Sequence, residues 1–269
     1  MRIRATVAAV TGALALSALA VPAAQAAGNP LSGVTFSNVV INSGKNIVVG
    51  ASAQVTVSAT YTVTHPASVS ASSFDSGPVL YRGTTITAPS DLIGGDDPGT
   101  CTASSSTVLK CTAKIQFRPA SSDDSQDLFS AEAGAWKVGA VAVDASGTSN
   151  NIKWQGDLGT KNVQRYSKLT VDAAPEPVKK GKIVTVTGAL TRANWDTGKY
   201  AGYTVQPVKL QFRKKTSTTY TTIKTIKTDS SGKLKTTTTA TVDGYFRYSF
   251  AGTSTTPAVS AAGDYVDVQ

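Results

Sequence analysis

The sequence has few of the residues on which most enzyme mechanisms depend. Its 269 residues include one histidine, two cysteines and one methionine. The histidine, His65, stands alone before a proline, without a GxSxG elbow or an HExxH motif that would indicate a triad or a zinc centre. The nucleotide-binding patterns GxxxxGK[ST] and GxGxxG are also missing. We therefore predict that the protein is not an enzyme, and we expect His65 in an exposed loop.

Long helices are not expected either. Glutamate occurs only at Glu132 and Glu176, whereas threonine and valine are abundant. Threonine and valine favour strands, and long helices usually need leucine, glutamate, lysine and glutamine. The composition predicts an all-β protein.

The N-terminus has the features of a secretory signal peptide. Arg2 and Arg4 precede an apolar stretch over residues 5–21, and Ala-Gln-Ala at 24–26 has the small-x-small form that a signal peptidase accepts. No later stretch approaches the 18 apolar residues of a membrane span. We predict that residues 1–26 are removed, that no transmembrane segment follows, and that the mature protein is secreted.

The two cysteines, Cys101 and Cys111, lie in CTASSSTVLKC. An exported chain favours a disulfide, and the flanks of this stretch have the alternation of strands on either side of a turn. The spacing does not match the CxxC of a redox pair, and two thiols alone do not complete a zinc site. The sequence predicts a disulfide across a hairpin.

Alternation with a period of two runs through both halves of the chain, as expected for strands with one buried face. In VDGYFRYSFAG it separates Phe246, Tyr248 and Phe250 from Tyr245, Arg247 and Ser249. The stretch TTYTTIKTIKTD breaks strict alternation, and a β-bulge would restore it. Alternation also predicts that Val208, Leu210 and Phe212 face inward. Two further sets each share one face of a strand: Val55, Val57, Ala59, Tyr61 and Val63; and Cys111, Ala113, Ile115 and Phe117.

The proline-containing stretch DAAPEPV indicates a linker at residues 172–178, because proline lacks the N–H that a central strand needs. The predicted domains are therefore 27–171 and 179–269. From Leu169 onward the chain has 14 Lys and Arg against 7 Asp and Glu. This basic domain could contact acidic wall polymers, anionic lipid or extracellular nucleic acid, although lysines alternating along strands are also typical of a water-facing surface.

Two stretches resemble bacterial immunoglobulin-like domains. GAWKVGAVAVDASG is similar to the Trp-x-Val-x-x-x-Ala-x-Asp-x-x-Gly stretch found late in such domains. PVKLQFRKKTSTTYTTIKTIKTDSSGKL followed by DGYFRYSFAGTSTT resembles a second one. The resemblance implies an exported bacterial protein with two tandem immunoglobulin-like β-sandwiches, from a family that mostly lacks an assigned function and in which some members are labelled calcium-binding. It implies no catalytic residue.

Calcium is the metal that the acidic residues favour, because it takes six to eight oxygen ligands. The candidates at the predicted joint are Asp144, Asp172 and Glu176, where an ion would stiffen the pair of domains. Acidic loops at Asp96-Asp97 and at Asp123, Asp124 and Asp127 are further possibilities. The EF-hand pattern is absent, and the alternative for every cluster is a solvated loop.

The stretch ANWDTGKYAGY places Trp195, Tyr200 and Tyr203 in a predicted loop. Exposed aromatic residues on a rigid β scaffold commonly stack on sugars or anchor protein partners. The alternative is that Trp195 folds back and closes the end of the sandwich. These three residues are the predicted ligand surface.

These observations lead to one hypothesis and two alternatives. The first is a secreted, non-enzymatic binding or structural module at the cell envelope or in the medium, with a cell-wall polymer, a glycan or a protein as partner and no specific nucleic acid. The alternatives are a calcium-binding protein, with the ion at the joint or in an acidic loop, and a carbohydrate-binding accessory module.

Overall fold

A computed structural model describes residues 28–121, 128–146 and 151–269. The predicted signal peptide at 1–26 and the acidic residues Asp123, Asp124 and Asp127 lie outside this part. Within it, all helices are short 3-10 helices, at Pro30–Gly33, Asn42–Gly44, Ala71–Ser73 and Ser130–Glu132. None is long and apolar enough to cross a bilayer. The all-β class predicted from composition is confirmed.

Twenty strands make up the rest of the regular structure. Numbered in chain order, they are β1 (Thr35–Ile41), β2 (Ile47–Val49), β3 (Val55–Thr64), β4 (Phe74–Arg82), β5 (Asp91–Ile93), β6 (Thr100–Ala103), β7 (Val108–Phe117), β8 (Gly134–Asp144), β9 (Ile152–Gln155), β10 (Thr160–Arg165), β11 (Ser167–Leu169), β12 (Asp172–Ala174), β13 (Ile183–Asn194), β14 (Lys199–Gly202), β15 (Pro207–Lys214), β16 (Thr221–Lys227), β17 (Lys233–Thr239), β18 (Gly244–Phe250), β19 (Val259–Ser260) and β20 (Asp264–Val266).

Contacts between Cα atoms divide the described chain into two compact units. The first contains residues up to Lys45, Thr56–Gln116 and Lys137–Thr160, and the second contains Asn46–Val55, Phe117–Trp136 and Lys161–Gln269. The second unit thus takes up segments that precede the predicted linker. The domain boundaries at 171 and 179 stay a prediction.

The first unit has two antiparallel sheets that share a core. One sheet has the order β1-β3-β7-β6, and in the other β8 pairs with β4 and β9 while β4 pairs with β5. The shared core is built from alternate residues of these strands, as the period-two pattern predicts. Its buried side chains include Phe36, Tyr61, Val63, Phe74, Leu109, Cys111, Ala140 and Ala142.

His65 is buried, which corrects the expectation of an exposed loop histidine. Only 5% of the residue is accessible, and its ring centroid lies 6.0 Å from that of Phe74. The reason is that the backbone N–H of His65 still donates to the carbonyl of Thr107 at 2.9 Å, just after β3 ends. This bond carries the pairing one residue further and holds the ring against the sheet.

The disulfide is confirmed between Cys101 and Cys111. The two residues are directly opposite in the β6–β7 pair, and their Cα atoms are 4.1 Å apart. Cys111 belongs to the core, while Cys101 packs on it from a partly buried position. The bridge therefore fastens the edge strand β6 to the sheet.

The second unit contains another sandwich. In its first sheet, β13 pairs with β11, β12, β14 and β17; the second has the order β16-β15-β18, with β19 and β20 also paired to β18. One core lies between them, because inward side chains of both sheets belong to a single cluster. Its members include Val184, Val186, Leu190, Leu234, Val208, Leu210, Phe246, Tyr248 and Phe250. In the same unit, β2 pairs in parallel with β10.

Two short strands lie where the sequence analysis placed the end of the first domain and the linker. Strands β11 and β12 both pair antiparallel with β13. Strand β12 ends at Ala174, immediately before Pro175, which has no N–H to continue the ladder. The amide of Ala173 also donates to the Asp264 carboxylate at 2.6 Å. Residues 172–174 are thus part of a sheet.

The predicted bulge is present in β16. Pairing with β15 runs from Pro207↔Lys227 to Leu210↔Lys224 and then shifts to Gln211↔Thr222, so Ile223 is the extra residue. The bulge lets Ile226, in the last part of the strand, pack against the core. It also keeps Thr222 opposite Gln211, so both parts of the strand stay in register with β15.

Reduction of the Cys101–Cys111 bridge is expected to destabilise the protein. The chain-entropy model gives about 2–3 kcal/mol for a loop of this length. Thermal unfolding with and without a thiol reductant should therefore show a lower melting temperature in the reduced protein. The double variant C101S/C111S is the control, and its melting temperature should not respond to reductant. An unchanged melting temperature in the reduced wild type would contradict this expectation.

Ionisation of Tyr248 is expected to weaken the second unit in alkali. Burial raises the pKa of this residue to about 12, and its hydroxyl donates to the Val186 carbonyl at 2.9 Å. The raised pKa means that the folded protein favours the neutral phenol. The contribution of Tyr248 to the free energy of unfolding is therefore complete below about pH 10, the ordinary pKa of tyrosine. It declines as the pH rises from about 10 to about 12, by up to roughly 3 kcal/mol.

Denaturant unfolding between about pH 9 and pH 12 measures this decline. Tyr248→Phe is the comparison, because it keeps the ring and removes the ionisable hydroxyl. It should cost about 1 kcal/mol at neutral pH through the lost hydrogen bond, and its stability should fall less steeply in alkali. An equally steep fall in the variant would show that other groups cause the alkaline loss.

Candidate ligand-binding surfaces

Trp195 lies in the interior, so it is not part of a ligand surface as predicted. Its exposed fraction is 0%. The indole Nε1 donates to the Val49 carbonyl at 3.3 Å, and the backbone N–H donates to Ser130 Oγ at 3.0 Å. The alternative, in which the indole folds back into the protein, is the one that the structure shows. An apolar ring with a single N–H is stable in such a place once that N–H has an acceptor.

Tyr200 lies in a separate cluster near the surface, the Tyr166 patch, which consists of Tyr166, Lys168 and Tyr200. The two tyrosine rings meet edge to face with centroids 6.3 Å apart. The Lys168 Nζ lies 3.8 Å from the centroid of the Tyr200 ring. Burial, followed by the neighbouring Tyr166, raises the pKa of Tyr200. Tyr166 is 45% exposed, so this patch presents one accessible aromatic ring.

Tyr203 contacts different residues. Its ring centroid is 5.7 Å from that of Phe250 in an edge-to-face pair, and the Arg192 Cζ lies 3.8 Å from the centroid of Tyr203. Burial acts to raise the pKa of Tyr203, but hydrogen bonds from threonines of the 253–256 turn and the Arg192 charge outweigh it and lower the pKa. The three predicted aromatic residues therefore do not form one surface, and ligand contact by Tyr200 or Tyr203 stays a prediction.

Two of the three calcium candidates, Asp144 and Asp172, accept hydrogen bonds within the protein. Asp144 accepts hydrogen bonds from the amide and hydroxyl of Ser146. Asp172 accepts from the Thr187 hydroxyl at 3.4 Å. Burial, then the charges of Asp264 and Asp172, raise the pKa of Glu176. Among the described residues, no three acidic, histidine or cysteine side chains are grouped so as to hold a metal ion, and calcium binding stays a prediction.

The outer side of the β16-β15-β18-β20 sheet carries the most extended side-chain cluster, which we name the Arg–Tyr stack: Tyr220, Arg247, Arg213, Tyr245 and Tyr265. The Arg247 Cζ lies 3.8 Å from the Tyr220 centroid. The Arg213 Cζ lies 3.8 Å from the Tyr245 centroid and 5.4 Å from that of Tyr220. Tyr245 and Tyr265 have centroids 5.1 Å apart. Cations and rings therefore form one continuous row.

Register explains why these side chains meet. Arg213 is directly opposite Tyr245 in the β15–β18 pair, and Tyr245 is opposite Tyr265 in the β18–β20 pair. Directly opposite residues share one face of a sheet, with Cβ atoms about 5 Å apart. Tyr220, the residue before β16, joins the row through its contact with Arg247.

Hydrogen bonds hold both ends of the stack. Arg247 Nε donates to Gln211 Oε1 at 2.8 Å, and Arg213 Nη1 donates to the Ser217 carbonyl at 2.9 Å. At the far end, the Tyr265 hydroxyl donates to the Asp243 carboxylate at 3.2 Å. A hydrogen bond from the Val268 amide is the largest cause of the lowered pKa of Asp243. Each guanidinium is thus fixed in position as well as stacked.

The same side of the sheet carries only positive charges near its centre. Alternation along β15, β16 and β18 directs Lys209, Arg213, Lys227 and Arg247 outward, and we name these four residues the outer basic face. Both lysines are exposed and both arginines are half-buried. Within the described part of the chain, no carboxylate oxygen lies within 4.0 Å of any of the four.

Sequence reasoning found part of this surface. Alternation correctly predicted that Tyr245 and Arg247 share the outer side of β18 and that Arg213 faces outward from β15. It missed Tyr220 and Tyr265, because neither residue lies in a stretch whose partner strand can be identified from the sequence. The basic excess after residue 169 was the signal for such a face, but it could not say which lysines and arginines lie together.

Comparisons with known proteins do not assign the chain to a family. No family model matches it, and no curated protein is similar to it. Among solved structures, it is similar to the fibronectin(III)-like modules of CbhA from Clostridium thermocellum, with 17% identity, coverage of 86% of this chain and 92% of that one, and a TM-score of 0.29. It is similar to the D00-D0 domain of intimin, with 15% identity, coverage of 85% and 98%, and a TM-score of 0.27. It is also similar to the Ig1-Ig3 ectodomain of mouse nectin-like molecule 4, with 14% identity, coverage of 86% and 65%, and a TM-score of 0.26. At such identities and TM-scores, these similarities assign neither a family nor a function.

Proposed function

We propose that the protein is a secreted, non-enzymatic module that binds an acidic polymer of the cell envelope through the outer basic face. The observation that carries this proposal is the set of four cations, Lys209, Arg213, Lys227 and Arg247, with no carboxylate within 4.0 Å in the described chain. Secretion rests on the predicted signal peptide.

The energetics of a sheet surface support this function. Like charges on neighbouring strands repel one another, and opposite charges across a pair stabilise it. Here the residues directly opposite Lys209 are Ser249 on β18 and Thr225 on β16, both neutral. A surface selected for stability alone would gain from carboxylates at such positions. A concentrated positive field instead attracts polyanions and accelerates their association.

The burial of His65 supports a non-enzymatic function. Histidine is the commonest general acid or base, and it needs access to the proton that it transfers. The ring of His65 is buried, and its Nδ1 lies 3.1 Å from the Pro66 carbonyl, an acceptor. This histidine therefore has a packing role.

A carbohydrate-binding module is the second candidate, and it rests on a different surface. In the Tyr166 patch, Tyr166 is the accessible ring and Tyr200 holds it edge to face. A fixed, exposed ring of this kind is suited to stacking on a sugar. Binding of a neutral polysaccharide that Tyr166→Ala abolishes would favour this candidate over the first.

Retention on insoluble cell-wall material tests the proposal that the outer basic face binds by charge. Wild-type protein is expected to bind the material at low ionic strength and to elute with NaCl, because the Debye length shortens from about 30 Å at 0.01 M salt to about 3 Å at 1 M. The variant K209Q/K227Q should elute at clearly lower salt.

The matched control is K233Q/K235Q. It removes the same number of charges from β17, in the opposite sheet of the sandwich, where both lysines are exposed. This control should elute close to wild type. Failure of the wild-type protein to bind at low salt would refute the proposed function. Equal loss in both double variants would show that net charge, rather than the outer basic face, determines retention.

A further inference from the structure

We propose that the Arg–Tyr stack is a preorganised carboxylate-binding site and that its ligand is a uronic-acid polysaccharide. This inference rests on the proposed function, since it names the ligand class and the residues that recognise it. It goes further in requiring the geometry of two arginines, Arg213 and Arg247, in addition to the positive charge of the face.

Stacking leaves the hydrogen-bonding edges of both arginines available. A guanidinium has five N–H donors in one plane, and an aromatic ring covers its flat side without using any of them. Among the described residues, Arg247 donates one hydrogen bond, to Gln211, and Arg213 donates one, to the Ser217 carbonyl. Most N–H groups of both side chains therefore have no acceptor in the described part of the chain. Such an edge matches the two oxygens of a carboxylate.

Two further arginines of the second unit, Arg165 and Arg192, use their hydrogen bonds within the protein. Arg165 is 8% exposed and donates through Nε to the Ala193 carbonyl at 2.5 Å. Arg192 donates to the hydroxyls of Thr255 and Thr256. Their hydrogen bonds hold backbone and turn residues inside the unit, which is a structural role. Arg192 is also stacked, with its Cζ 3.8 Å from the centroid of Tyr203. In the Arg–Tyr stack, both guanidinium groups are stacked on tyrosine rings and both arginines are half-buried.

The stack is fixed in advance of binding, which lowers the entropy cost of capturing a ligand. A free arginine has roughly 2 kcal/mol of rotamer entropy to lose, and here stacking and one hydrogen bond have already restricted each side chain. Gly263 contributes to this order, because a Cβ at that position would overlap the Tyr220 hydroxyl. The chain before β20 thus lies against the hydroxyl end of the ring that supports Arg247.

The surroundings favour an acidic polysaccharide over other polyanions. A guanidinium group already covers one face of the Tyr220 ring and one face of the Tyr245 ring, which leaves less ring surface for stacking on nucleic-acid bases. The remaining outward residues near the cations are small and hydroxylated, such as Thr225, Ser249 and Ser260. They carry no large aliphatic group for insertion into a lipid surface, and they offer partners to sugar hydroxyls.

The test is a calorimetric titration of the protein with polygalacturonate at constant low ionic strength. Fully methyl-esterified polygalacturonate is the matched ligand control, because it keeps the sugar backbone and removes the carboxylates. Polyphosphate is the second arm, because it carries oxyanions without sugars. Wild type is expected to bind polygalacturonate, to bind polyphosphate more weakly, and not to bind the ester.

The decisive variant is R213K/R247K, which keeps both charges and removes the planar edges. It should bind polygalacturonate about tenfold more weakly than wild type, with an unchanged slope of log K against log salt. Tyr220→Leu tests the positioning of Arg247 and should also weaken binding with an unchanged slope. R213Q/R247Q should reduce both the affinity and the slope, and K233Q/K235Q should retain wild-type affinity. Thermal unfolding verifies that each variant is folded.

Three results would overturn the inference. Equal affinity of wild type and R213K/R247K would show that charge alone is recognised, and retention on wall material would then leave the proposed function intact. Equal binding of the ester would exclude carboxylate recognition. Tighter binding of polyphosphate than polygalacturonate would identify a phosphate polymer as the ligand. If wild type binds neither wall material nor any polyanion at low salt, both the inference and the proposed function fail.

Discussion

The antiparallel pairing of β15 with β18 is the constraint on which the second unit depends. Seven residue pairs, from Val208↔Phe250 to Lys214↔Gly244, fix the register. A shift of one residue would turn every inward side chain outward. This register puts Phe246, Tyr248 and Phe250 into the core with Val208 and Leu210, and the same hydrogen bonds place Arg213 beside Tyr245 on the other side. Core and candidate site are therefore two faces of one ladder.

This coupling explains how a stabilising cluster of side chains and a candidate binding surface can coincide. A cation over an aromatic ring contributes roughly 0.5–1 kcal/mol at an exposed site, so the Arg–Tyr stack helps to hold β15, β18 and β20 together. The stacking uses the flat side of each guanidinium and leaves its charge without a carboxylate. The sheet gains order while it keeps a positive face, which a network of ordinary ion pairs would have neutralised.

Alternation was a sound guide to the faces of strands, because side-chain direction in a strand depends only on residue parity. It identified the buried face of β18, the outward Arg213 and the bulge near Ile223. The same reasoning failed for Trp195 and His65, since both lie at strand ends, where parity no longer applies and long-range hydrogen bonds decide. Trp195 is held by Val49 and Ser130, which are distant in sequence.

The amino-acid sequence by itself determined the all-β class, the Cys101–Cys111 bridge and the inner and outer side chains of the long strands. These are local properties of composition, spacing and period. Only the tertiary structure decided that β11 and β12 join the sheet of β13 and that Trp195 is interior. It also decided that Tyr220, Arg247, Arg213, Tyr245 and Tyr265 form one row. The order of strands in a sheet is set by pairing energies between distant segments, which no local pattern encodes.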